Sequence, residues 1–135
     1  MGTRSIIKFV EKWNDNENEL VTIYQQYDGY IDGVGKELAK WLASKTIING
    51  FSPREDNRNN ANGIGCLVAQ FIRDFKKGIG GLYIYPSNCE PQDYNYKVVI
   101  DESRKSITII VTNWDEDKPI FVGSPRELLE FTEDD

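Results

Sequence analysis

The chain has 135 residues, 39% of them apolar and 12% aromatic, and carries a formal charge of −6. That length makes a single domain, residues 1–135, whose core is large enough to need no covalent or metal staple. With no histidine and only two cysteines, Cys66 and Cys89, it excludes Ser–His and Cys–His nucleophile systems and a disulfide framework, and makes a zinc site improbable.

In chain order, Ser5–Trp13 reads as a strand, with Ile7 and Phe9 on one side and Ile6, Lys8 and Val10 on the other. Residues 14–18 are a polar turn and residues 20–27 the returning strand, which predicts a β-hairpin. The turn lacks the central glycine and distal glutamate of a calcium loop, so a solvated turn is the reading. Residues 33–45 form a helix with Val34, Leu38, Trp41 and Leu42 on one stripe and Asp32 as N-cap. Asn49-Gly50 breaks the chain, and residues 52–63 are a polar loop. Residues 64–77 carry the clearest helical pattern, with Ile64, Leu67, Val68, Phe71, Ile72 and Phe75 on one face and Gly78 as the stop. The rest is mainly β: strands at Leu82–Tyr85, 94–100, 106–113 and 120–122. Ser124-Pro125-Arg126-Glu127 is a capping box with proline at the first helical position, opening a short C-terminal helix. The acidic tail, 133–135, is expected to fray. This order predicts an α+β fold: a mainly antiparallel sheet of about six strands, with two main helices packed on it.

Charge is uneven along the chain. Residues 1–89 hold 11 basic and 10 acidic groups, whereas residues 90–135 hold 5 basic and 12 acidic. The negative C-terminal part argues against sequence-independent binding of duplex nucleic acid, whose affinity rests on neutralising phosphates. No apolar run is long enough for a membrane span or a secretory leader, so a soluble cytoplasmic protein is expected.

The segment from Tyr24 to Lys36 is denser in chemistry than a strand-to-helix connector requires. Tyr27 and Tyr30 can stack on a planar group. The helix start at Gly33-x-Gly35 can offer backbone amides to a phosphate. Arg4, Lys36, and Arg54 or Arg58 from the polar loop can supply cations; Tyr24, Gln26 and Asp28 complete the candidate set. The bland alternative is structural: Asp32 caps the helix, Gly29 and Gly33 take unusual backbone angles, and Asp28 pairs with Arg4. Asp28 and Asp32 also form a potential carboxylate pair for metal-assisted hydrolysis. Tyr83, Tyr85, Tyr94 and Tyr96 read as a tyrosine-rich surface on neighbouring strands, suited to a protein partner or a second subunit, or equally as ordinary sheet packing. Both cysteines read as structural thiols.

Met1-Gly2-Thr3-Arg4-Ser5, with Tyr24-x-Gln26-Tyr27-Asp28-Gly29-Tyr30 and Gly33-x-Gly35-Lys36-Glu37-Leu38, resembles a family of small proteins encoded mostly by bacteriophages and large DNA viruses. The resemblance covers roughly the first 40 residues. It implies an accessory role in a host cytoplasm, including counter-defence by sequestering a host signal. The functional expectation is therefore a non-enzymatic protein, without a cofactor, that binds a small nucleotide-like molecule. The alternatives are a module that inhibits a host protein and a carboxylate-based, metal-dependent hydrolase.

Overall fold

The computed structural model describes residues 2–48, 59–113 and 118–133. Arg54 and Arg58, the break at Asn49-Gly50, most of the 52–63 loop and the last two tail residues lie outside them. Among these described residues are eight strands: β1 (Ser5–Trp13), β2 (Asn16–Gln25), β3 (Thr46–Ile48), β4 (Asn60–Asn62), β5 (Leu82–Tyr85), β6 (Tyr94–Asp101), β7 (Ser106–Thr112) and β8 (Phe121–Gly123). Three α-helices accompany them: α1 (Lys36–Ala43), α2 (Gly63–Phe75) and α3 (Pro125–Glu130). A single π turn, Ile31–Gly35, leads into α1.

Six strands form one sheet in the order β5-β2-β1-β6-β7-β8, and β3 and β4 make a separate parallel pair. Every neighbouring pair in the main sheet is antiparallel except β1 and β6, which run parallel from Ser5↔Tyr94 to Lys12↔Asp101. The α+β expectation and its six-strand sheet hold. The small β3/β4 pair is an addition, because Asn60-Ala61-Asn62 has too little apolar content to read as a strand and only Ala61 is buried in it.

The β1–β2 hairpin turns tighter than its polar sequence suggests. Asn14 takes φ 53°, which asparagine tolerates, and β2 begins at Asn16. The ladder shifts where Phe9 faces Val21 and Val10 faces Glu19. Leu20 is thus the extra residue of a β-bulge, which explains its exposure.

One sheet face carries the core. Ile7, Phe9, Ile23, Tyr96, Val98, Ile109 and Val111 are buried there against Leu38 and Leu42 of α1 and Ile64, Leu67 and Phe71 of α2. Phe71 is the hub of that layer, meeting Phe9 edge-on at 5.3 Å, Trp41 edge-on at 5.6 Å and Phe75 stacked at 4.2 Å. Trp41 lies on the α1 stripe as expected but only half-buried, because its Nε1–H donates to Asp74 Oδ2 of α2 at 2.8 Å. The bond from Arg73, then that from Trp41, lowers the Asp74 carboxyl to about 2. At the C-terminus the capping box is complete: the Glu127 amide donates to Ser124 Oγ, the Ser124 amide donates to Glu127 Oε1, and Pro125 sits at the first helical turn.

Getting from β5 to β6 requires crossing β2 and β1. Residues 86–93 make that crossing over the face opposite the helices, where Lys8 Nζ donates to the Ser87 carbonyl at 3.1 Å. This strap buries Ile6 and Val10 on what would otherwise be the solvated side of β1.

Candidate functional site

The Tyr24–Lys36 junction is built for closure rather than for a phosphate. The chain leaves β2 at Gln25, and Asp28 takes φ 58° to reverse direction. Gly29 does not need a left-handed angle; it needs to be small, because a Cβ there would lie 2.7 Å from Ser5 Cβ and 2.9 Å from the Arg4 carbonyl carbon. A Cβ on Gly33 would collide with the Asp28 carbonyl oxygen. The amides expected to face a ligand already have partners. Gly33 N–H and Gly35 N–H donate to the Tyr30 carbonyl, at 3.0 and 3.3 Å, and Val34 N–H donates to the Asp28 carbonyl at 2.7 Å. Asp32 is not the N-cap: Tyr30 holds that position without a side-chain bond, and the exposed Asp32 lies inside the π turn. The π geometry replaces a side-chain cap with backbone partners.

Lys36 is likewise engaged. Its ammonium donates to the carbonyls of Leu128 at 2.8 Å and Leu129 at 2.9 Å, and also to that of Phe131. These are carbonyls at the end of α3, of which that of Leu128 also accepts from Phe131 N–H, so Lys36 caps that helix from another element. Tyr96 closes the junction from below. Its hydroxyl donates to the Gly29 carbonyl at 2.6 Å, and a Cβ on Gly35 would come within 3.0 Å of the same oxygen. Burial drives the Tyr96 phenol far above its ordinary pKa, so it stays a donor at any physiological pH. Beside it, burial and the bond to Glu133 push Tyr94 up to about 12.

What remains accessible is Tyr27, Asp28, Tyr30 and Asp32, with a long bond of 3.5 Å from the Tyr30 hydroxyl to Asp28 Oδ1. Gln26 is tied through its amide to the Gly81 carbonyl at 2.9 Å. Gly2 lies against Gln26 and Tyr27, leaving no room for a larger residue. Arg4 is exposed, with its amide donating to Asp93 Oδ2 at 3.1 Å. Among the described residues no group of three or more Cys, Asp or Glu side chains can hold a metal ion, so Asp28 and Asp32 stand without further ligands.

The four tyrosines do not form one surface. β5 and β6 are separated in the sheet by β2 and β1, and the two pairs point to opposite faces. Tyr96 is only 1% exposed and faces the helices, whereas Tyr83 and Tyr85 stand at the sheet edge on the strapped side. There they meet Tyr24: its ring stacks on Tyr85 at 4.6 Å and 6°, and lies 6.0 Å from Tyr83. Burial raises the Tyr24 phenol, and the nearby charge of Arg4 opposes that rise. Two sequence candidates, Arg4 and Tyr24, thus leave the junction for the strapped face.

That face holds a cleft of about 420 Å³ beneath the strap. Its floor is Ile6, Val10 and Ile110; Lys8 and Lys97 line it as well, together with two carboxylates, Glu19 and, from the strap, Glu90. Register places it directly beside the tyrosine stack, since Ile6 pairs with Tyr24 and Lys8 with Thr22, which faces Tyr85. Lys8 lies 3.4 Å from Glu19, and Lys97 lies 2.9 Å from Glu17. The Glu19 carboxylate also accepts from Thr22 Oγ1 at 2.7 Å, so it keeps a partner when Lys8 turns elsewhere. The sequence signal for this site was the pair of lysines interrupting apolar strands, Ile6-Ile7-Lys8-Phe9-Val10 and Tyr96-Lys97-Val98.

No family model, no curated protein and no solved structure matches this chain. Among the described residues no helix is long and apolar enough to cross a membrane.

Proposed function

We propose that this chain is a non-enzymatic accessory protein that holds a small nucleotide-like molecule on the strapped face of its sheet, and that sequestration is its activity. The observation that carries this reading is the cleft of about 420 Å³, with an apolar floor, two lysines and an adjoining tyrosine stack. That volume suits a small ligand, and aromatic faces stack on a base whatever its sequence identity. Lys8 or Lys97 can exchange its glutamate for a phosphate, and Arg4 adds a cation near Tyr24. Binding of this kind needs shape, stacking and donors but no general base, in keeping with a chain that lacks histidine. The N-terminal resemblance to small phage and viral proteins is in keeping with an accessory, counter-defence role.

The test is calorimetric titration of ligand-stripped protein with a panel of linear and cyclic mono- and dinucleotides, alongside mass spectrometry of small molecules released on denaturation. At least one nucleotide should bind, and Tyr85→Ala and Lys97→Gln should each weaken it tenfold or more. No binding across the panel by stripped, folded protein overturns the reading.

A second reading, a module that blocks a host protein, rests on the β5 edge. Ile79 is fully exposed and Tyr83, Ile84 and Tyr85 are 42%, 59% and 36% exposed, an apolar edge with the Lys76 ammonium over the Tyr83 ring. Tyr96 contributes nothing to such a surface. Stable capture of one host protein, abolished by Ile84→Lys with the nucleotide titrations blank, would favour it.

A further inference from the structure

A second concavity lies at the far end of α1 from the junction. It has a volume of about 430 Å³, between the C-terminal end of α1, the start of β7 and the start of α3. Among the described residues three cations line it, Lys45, Lys105 and Arg126, and no carboxylate does. In a chain of net charge −6 this is a local reversal of sign. The hydroxyl-bearing residues Thr46 and Ser106 lie among the cations, and Ile47 and Ile107 supply an apolar wall.

The cations of the groove already have neighbours: Lys45 Nζ lies 4.6 Å from the Trp41 ring centre and near the charge of Asp74, and Lys105 lies near that of Glu102. Glu127, on the first turn of α3, accepts from the Ser124 amide at 2.7 Å. The last carbonyls of α1, which would repel an anion, accept from backbone: Ser44 N–H donates to the Trp41 carbonyl and Lys45 N–H to the Leu42 carbonyl. Lys105 is presented by a tight turn in which it takes φ 57°, and its ammonium gives one bond, of 3.0 Å, to the Glu102 carbonyl. Arg126 stands exposed one residue past the proline of the capping box. Three cations on three separate elements converge on one concavity, which a merely solvated face does not require.

We propose that this groove is an anion site, distinct from the strapped face, that takes a phosphate-bearing small molecule with an apolar or planar body. Arg126 forks onto two phosphate oxygens, Lys105 and Lys45 act as point charges, Thr46 and Ser106 donate hydroxyl bonds, and Ile47 and Ile107 meet the body. The site needs no residue of the 24–36 junction or of the tyrosine stack.

Inorganic pyrophosphate is the probe, titrated into the full chain at fixed ionic strength and followed by backbone amide NMR. Saturable shifts are expected at Thr46, Ser106, Ile107 and Arg126. Lys105→Gln and Arg126→Gln, both at exposed positions, should each weaken the response at least tenfold while leaving the remaining spectrum folded. Tyr85→Ala should leave it unchanged. Shifts that do not saturate, that spread evenly over the lysines of the molecule, or that survive both substitutions overturn the proposal. A saturable response centred on Lys8 and Lys97 instead assigns the anion to the strapped face and equally overturns it.

Discussion

The 24–36 junction and the strapped sheet face invert each other. The junction is crowded with functional residue types, yet its amides, its glycines and Lys36 are engaged in holding the fold together. The strapped face draws on ordinary strand residues, yet it keeps a cleft, two lysines paired with exchangeable carboxylates (Lys8 also bonded to the Ser87 carbonyl), and a tyrosine stack. Chemical density in a sequence therefore marks where many bonds are made, and those bonds can all be internal. A ligand site needs groups whose present partners are replaceable.

Substitutions separate the two regions by what they disturb. Gly33→Ala should have the largest effect, since its Cβ meets a backbone oxygen that cannot yield; about 3 kcal/mol of stability should be lost, measured by urea unfolding. Tyr96→Phe leaves the buried Gly29 carbonyl without its donor, for a loss of about 2 kcal/mol in the same assay. Lys36→Met should cost about 1.5 kcal/mol, with faster amide exchange in α3 than elsewhere, because three terminal carbonyls lose their cation. None of the three should change ligand affinity in molecules that remain folded; a selective loss of binding in Lys36→Met would return the site to the junction. Tyr85→Ala should do the reverse, costing under about 1 kcal/mol in stability while removing a stacking surface worth about 1–3 kcal/mol of binding.

The smallest effect concerns pH. Asp74 has its folded value lowered to about 2 from 3.8 by Arg73 and Trp41. Its contribution is complete above the unfolded value and fades as pH falls through that window. Its partial exposure limits the amount to under about 1 kcal/mol. Asp74→Asn should flatten the acid limb of thermal stability between pH 5 and 2, by about that amount; an unchanged acid limb would show that ionisation of Asp74 contributes nothing to stability.

Local patterns were legible where the reason for them is local. Ile7 and Phe9 alternate with Lys8 because one side of β1 meets the helices, and Ser124 through Glu127 cap α3 with their own atoms. The partners of Lys36 lie 92 to 95 residues away, and nothing near Lys36 announces them. The tyrosine pairs were legible as alternating, but their separation depends on β1 and β2 lying between β5 and β6. The cleft follows from the crossing of residues 86–93, a property of strand order that periodicity does not contain.

The parallel pairing of β1 with β6 has a consequence for how the chain is made. β1 emerges well before β6 during synthesis and ends as an interior strand, flanked by β2 and by a partner beginning at Tyr94. Until that partner arrives, the hairpin presents one long unpaired edge bearing Ile6, Ile7, Phe9 and Val10, the kind of edge that recruits other chains. Nascent or truncated forms ending before Tyr94 should therefore aggregate, and completion of β6 is the step that makes the molecule safe to release.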